Sequence, residues 1–232
     1  MPHPLHLGRV PILCSANMSL FEPSWLSEGQ GIPPKIRWTF ATEAPLVAME
    51  MGRESGEVLA ADATGGLYRL DRRGQLLTLS RGLKGVRVLA WSDTSAAGAA
   101  IVGERKVLRL NSQFETEWSV GLPEPALGVA VTPYGRHTAI SLANGGNLVL
   151  GPDSEQLSVF ETVRPLKWIQ FLATDAVLVG AADYGHVCAH QLDGQPLWTE
   201  RSFMSLGEMH AAGDGETVLL AGFNHGIQAL DG

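Results

Sequence analysis

Three kinds of side chain in this sequence could do chemistry: imidazoles, carboxylates and nucleophiles. His186 and His190 stand four apart in the run HVCAH, and His210 and His225 follow in the next stretch of similar pattern. Imidazoles about 2.0 to 2.1 Å from an ion, backed by Asp183 or Glu208, would make a transition-metal site. Yet in a strand rising ~3.3 Å per residue, His186 and His190 are about 13 Å apart, too far to share one ion. They read as turn or half-exposed strand residues, and no metal site is expected. Glu50 and Glu208 are the acid pair to inspect for glycoside hydrolysis, which needs two carboxyls about 5 to 10 Å apart. Ser141, Ser154 and Ser205 lack a G-x-S-x-G context, and Cys188, inside an apolar run, reads as a buried small residue. Gly65-Gly66 and Gly145-Gly146 precede no helical pattern, so the N–H cradle of a phosphate loop is missing. They read as hairpin turns that need positive φ.

The elements that must position such residues follow from composition and repetition. The chain has 232 residues, 45% hydrophobic and 18% charged, with 27 Gly and 13 Pro. That suffices for a real core in one large domain or two small ones. Two cysteines, Cys14 and Cys188, exclude a disulfide-built scaffold and a multi-Cys metal site. A net charge of -7 argues against general affinity for nucleic acid or anionic membrane. No run reaches the ~18 to 20 apolar residues of a membrane span. Pro2, Pro4, His6, Arg9 and Pro11 interrupt any signal-peptide core, and Pro11-Ile12-Leu13 is a poor lipoprotein context for Cys14. A cytoplasmic location is expected.

Repetition is the strongest signal. Trp38, Trp118 and Trp198 lie 80 residues apart, with Thr78 and Ser158 midway, so the period is 40. Gly66, Lys106, Gly146, Gly185 and Gly226 open short apolar runs that mostly end in turn formers. Each unit divides into four short strand candidates; in the second unit they are Val86 to Trp91, Gly98 to Gly103, Val107 to Asn111 and Glu115 to Ser119. The second members, such as AAIVG, TAISLA and VLLAG, are continuously small and apolar and read as buried strands. Four strands per ~40 residues is the arithmetic of a propeller blade.

The runs Leu192-Asp193-Gly194-Gln195-Pro196-Leu197-Trp198 and Leu70-Asp71-Arg72-Arg73-Gly74-Gln75-Leu76-Leu77 resemble the Trp-containing, PQQ-type or WD40-like propeller repeats. The resemblance implies an all-β fold in which the Trp enters the outermost strand and packs between blades. We expect a β-propeller of about five four-stranded blades over residues 36–232, with 1–35 an irregular extension. Ile36-Arg37-Trp38-Thr39-Phe40 parallels Leu197-Trp198-Thr199, so an N-terminal strand is expected to close the ring on the last blade. A partial propeller cut from a larger one is the alternative.

The resemblance also covers quinone-dependent dehydrogenases, which carry six to eight blades, a Ca²⁺ site and often a vicinal Cys pair; this chain shows neither the Cys pair nor enough repeats. No cofactor is expected, and enzymatic activity is the less favoured reading. Residues 69–109 hold nine of the 17 basic residues against three acidic ones, whereas 110–232 hold four basic and 14 acidic. Such asymmetry suggests a basic sector that could orient a charged partner. The leading expectation is a non-catalytic, monomeric scaffold that binds a protein or peptide, not nucleic acid or membrane. Its contacts would be Arg72 and Arg73 in one turn, Tyr134 and Arg136 in the TPYGR loop, and Tyr184. The alternative is an enzyme or carbohydrate-binding lectin using the central pocket.

Overall fold

The computed structural model describes residues 35–92, 94–173, 176–202, 205–223 and 226–231. Every element falls in the compact unit Trp38–Gly232. Blade 1 comprises β1 (Leu46–Met51), β2 (Val58–Asp62), β3 (Gly66–Leu70) and β4 (Leu76–Arg81); blade 2 comprises β5 (Val86–Ser92), β6 (Ala97–Val102), β7 (Lys106–Leu110) and β8 (Thr116–Gly121). Blade 3 comprises β9 (Ala126–Val131), β10 (Thr138–Leu142), β11 (Gly146–Leu150) and β12 (Gln156–Glu161). Blade 4 has β13 (Trp168–Phe171), β14 (Leu178–Ala181), β15 (His186–His190) and β16 (Pro196–Arg201), and blade 5 has β17 (Leu206–Ala211), β18 (Thr217–Gly222) and β19 (Gly226–Asp231). Each is an antiparallel meander, four-stranded in blades 1 to 4 and three-stranded in blade 5. The expected five-bladed, all-β propeller is what forms, and among the described residues its one helical turn is the 3₁₀ turn Asp183–Gly185.

The 40-residue period is visible in the backbone. Residues 74, 114, 154 and 194 all have positive φ, at 77°, 64°, 65° and 88°, in the turn joining the third and fourth strands. There Gly74 N donates to Asp71 O, Phe114 N to Asn111 O, Ser154 N to Gly151 O and Gly194 N to Gln191 O. Glycine holds this slot where a neighbour presses on it: a Cβ on Gly74 would lie 2.6 Å from the Trp38 ring, and one on Gly194 would lie 2.7 Å from Phe160 Cβ. The third strands begin at 66, 106, 146, 186 and 226. Gly185, placed by the sequence among the strand openers, instead belongs with Gly65 and Gly145 as a left-handed turn residue, at φ 79°, 96° and 92°.

Blades pack face to face. One apolar cluster joins blades 1 and 2 around Leu59, Ala61, Leu89 and Leu108, and a second joins blades 2 and 3 around Ile101, Val107, Ile140 and Leu150. A third joins blades 3 and 4 around Ala130, Val149, Leu166 and Phe171, and a fourth joins blades 4 and 5 around Val179, Val187, Met209 and Leu220. At the rim the same link recurs at a spacing of 34 residues: Trp38 Nε1 donates to Arg72 O at 3.1 Å, and Trp118 Nε1 to Pro152 O at 2.7 Å. Ser158 Oγ does so to Leu192 O. Trp118, on the outer strand of blade 2, thus bonds blade 3, whereas Trp38 makes the same link to blade 1 from outside any strand.

Closure differs from expectation. Residues 35–40 carry no strand, so the Ile36 to Phe40 segment does not complete blade 5. The physical reason lies in what holds the chain from Trp38 onward, which is blade 1. Trp38 hydrogen-bonds the Arg72 carbonyl, Phe40 meets the Tyr68 ring edge-on at 5.6 Å, and Glu43 pairs with Arg81. Tyr68 Oη donates to Asp62 at 2.6 Å and accepts from Glu43 N at 3.0 Å. Asp62 also accepts from the Thr64 and Gly66 amides. The Tyr68 hydroxyl and these amides hold its carboxyl far below the usual range. The expected extension, residues 1–35, falls almost wholly outside the described residues.

Candidate functional site

Because every blade is an up-and-down meander, the connections between first and second strands and between third and fourth strands gather at one end of the ring. The remaining connections gather at the other. This sorts the candidate residues. Arg72, Arg73, Tyr134 and Arg136 lie at the first end, and Tyr184, in the β14–β15 turn, lies at the second. The five do not form one site: Arg72 and Arg73 occupy the outer turn of blade 1, two blades from Tyr134.

Tyr134 and Arg136 are brought together. The loop Thr132–His137 is closed by Thr132 N to His137 O, Gly135 N to Thr132 O and His137 N to Thr132 Oγ1. Blade 2 grips it as well: Arg109 donates to Gly135 O and Ser92 Oγ to Pro133 O. Gly135 is buried at φ 66°, and a Cβ there would lie 2.0 Å from Ser95 Oγ. With its middle residue pinned, the loop holds its neighbours outward, Tyr134 at 68% exposure and Arg136 exposed. Both line a hollow of about 340 Å³ with Pro133, His137, Ala173 and Ala176. Burial lowers the His137 pKa, and the Arg136 charge lowers it further.

Arg109 itself is 5% exposed, with Thr138 Oγ1 at 3.4 Å and Glu117 at 3.5 Å. Burial lowers its pKa and Glu117 opposes that. It is the positioning residue that sequence reading missed, counted there as surface charge. Alternation along KVLRL, which makes Arg109 one face of a blade otherwise apolar, was the available signal.

The other basic residues of the expected sector are similarly dispersed. Arg69 is bidentate to Glu57 and lies 5.6 Å from the Trp91 ring centroid. Arg81 pairs with Glu43, and Arg105 with Glu124. Of the remainder, Arg72 and Arg73 lie at the first end, whereas Lys84, Arg87 and Lys106 are exposed towards the second. The sequence asymmetry is thus split between the two ends.

A central channel runs between the first strands. Glu50 and Glu208 both line it, with Arg53, Trp168, Gln170 and Met209. Arg53 donates across it to Phe171 O at 3.3 Å. Gln170 links blades 4 and 5, accepting from Ala211 N at 2.6 Å and meeting His210 Nδ1 at 3.2 Å. Burial lowers the His210 pKa and Arg53 adds to it. A lone Gln in WIQF gave no sequence signal for this bridge.

At the second end Tyr184 is 70% exposed in a left-handed conformation, φ 64°, with the Arg164 guanidinium 6.0 Å from its ring centroid. His186 and His190 sit at opposite ends of β15, and His190 is 7% exposed, stacked on Phe160 at 4.7 Å. Burial pushes the Cys188 thiol up to about 12, leaving it inert. Among the described residues, no group of three or more His, Cys, Asp or Glu could hold a metal ion. No helix among them is long and apolar enough to cross a membrane.

Fold and site together define a β-propeller with one pinned loop, Thr132–His137, at its first end. No known protein family matches the chain, and no curated protein is recognisably similar to it.

Proposed function

We propose that this propeller is a non-catalytic binding scaffold whose first end captures a protein or peptide through the Thr132–His137 loop. One observation carries the reading: a loop gripped from both blades holds an exposed aromatic and an exposed arginine beside a hollow. A loop backbone fixed before binding loses little freedom on binding, and Tyr and Arg are the usual anchors of interfaces. The test is peptide selection against the full chain, followed by affinity measurement with Tyr134→Ser/Arg136→Glu. The double substitution should weaken selected peptides by at least about tenfold, roughly 1.4 kcal/mol. Peptides that bind both proteins equally would overturn the reading.

The central channel supports a second reading, binding of a small polar ligand such as a saccharide. What favours it is the convergence of Glu50, Glu208, Arg53 and Trp168 on one space, since sites of this kind combine a few placed polar groups with aromatic walls. A thermal shift with saccharides that Glu50→Gln/Glu208→Gln abolishes would select this reading over the first.

A further inference from the structure

Five blades make four packed junctions among the described residues; of the surfaces that would form a fifth, the blade 5 face and the inner strand of blade 1 are exposed, while Ala60 and Tyr68 on the rest of the blade 1 face are buried beside Phe40. On blade 5, Leu219 is 37% exposed, Phe223 76% and Ile227 77%, and Ala221 and Ala229 are exposed with them. Strand pairing puts these residues on one face, because Leu219 pairs with Ala229 and Ala221 with Ile227. On blade 1 the facing wall is Val47, Met49 and Met51, at 43%, 62% and 56%. Contiguous apolar surface of this kind marks an interaction site. Among the described residues the outer edge of β19 is also unpaired, and free edges recruit strands.

Neither wall is free to swing onto the other. Blade 1 is fixed to blade 2 by its apolar cluster and by Arg69 over Trp91, and to blade 4 by Arg53 on Phe171 O. Blade 5 is fixed to blade 4 by its own cluster and by Gln170 on Ala211 N. By the 40-residue repeat, what fits the free face of a blade is the inner strand of the next one, so blade 5 calls for a surface of the blade 1 type. Charge agrees at the rim. Residues 205–231 contain Glu208, Asp214, Glu216 and Asp231 and neither Lys nor Arg; blade 1 as a whole balances its acids and bases, but its outer turn holds exposed Arg72 and Arg73 at the same end as Asp231.

We infer that a second copy of this chain occupies the seam, its blade 1 wall against this blade 5 and the reverse. Each copy then supplies the surface the other lacks, so the contact closes on two molecules and does not propagate. The proposal departs from the monomer expected from the sequence.

The test is the solution mass of the full chain by light scattering over a wide concentration range. A dimer is expected, and Ile227→Lys should weaken it by about a hundredfold while leaving the thermal midpoint of the dissociated chain unchanged. A wild-type chain that stays monomeric throughout would sink the idea. Cross-linking separates a dimer from a seam that shuts on itself. With Cys14→Ser as background, differently tagged Met49→Cys and Leu219→Cys chains should form a mixed disulfide. A chain carrying both substitutions that links only within itself would overturn the proposal.

Discussion

The second strands of blades 2 and 5, AGAAIV and TVLLAG, are alike in composition yet differ in fate. In β6 the first five residues are buried; in β18 burial alternates with exposure, Leu220 at 0% against Leu219 at 37%. The difference lies in neighbours. A blade between two others hides both faces, and small apolar side chains let the sheets approach. Among the described residues blade 5 has one packed neighbour, so half of each strand keeps the composition of a core without its environment. Composition therefore records that a strand is built to be covered on both sides, and packing decides whether it is.

That contrast is quantifiable. Ile101→Ala, in the closed junction of blades 2 and 3, should cost about 2 to 5 kcal/mol, because a buried cavity adds to the lost transfer energy. Leu219→Ala, measured at concentrations where the chain is monomeric, should stay within about 1 kcal/mol. Denaturant unfolding with unchanged m-values checks both, and equal costs would show that the blade 5 face is covered within one chain. Gly74→Ala and Gly226→Ala make a finer comparison at matched geometry, φ 77° and 75°. Each should lose about 1 to 2 kcal/mol to left-handed strain. Only Gly74 should lose more, since Trp38 stands where its Cβ would go while nothing lies within 4 Å of that on Gly226. Adding Trp38→Ala should bring the two costs together.

The blades were legible because their signals are local and repeated. Each third-to-fourth turn needs a left-handed residue and each second strand is uniformly apolar, so the period of 40 survives the divergence of individual side chains. Strand ends were read to within about two residues, the usual reach of such patterns. Closure was not legible, because Arg37-Trp38-Thr39 carries the rim-Trp signature whether or not its backbone pairs with β19; Trp38 fills its rim slot on blade 1 without a strand. The TPYGR loop was recognisable from its turn residues, but its clamp was not. Arg109 is 26 residues away from Gly135 and belongs to another blade. Glu50 and Glu208 could be named as inner-strand acids, while their convergence on one channel needed the ring.

The smallest predicted effect concerns protons in the closed junctions. His190 is stacked on Phe160, and burial lowers its pKa below the ordinary 6.5, with His186 adding to the shift. Between that lowered value and 6.5 the unfolded chain binds a proton that the folded chain refuses. Stability therefore falls as pH drops from neutrality through this window, and it is flat with respect to this group above it. His137, His186 and His210 are shifted the same way and add to the slope. His190→Gln should remove its share in a series of urea titrations between neutral and mildly acid pH. The same substitution at His210, which is more exposed than His190 although its ring meets Gln170 of blade 4 at 3.2 Å, should change the slope less. If the two variants flatten it equally, packing at the closed junction is not what resists the proton at His190.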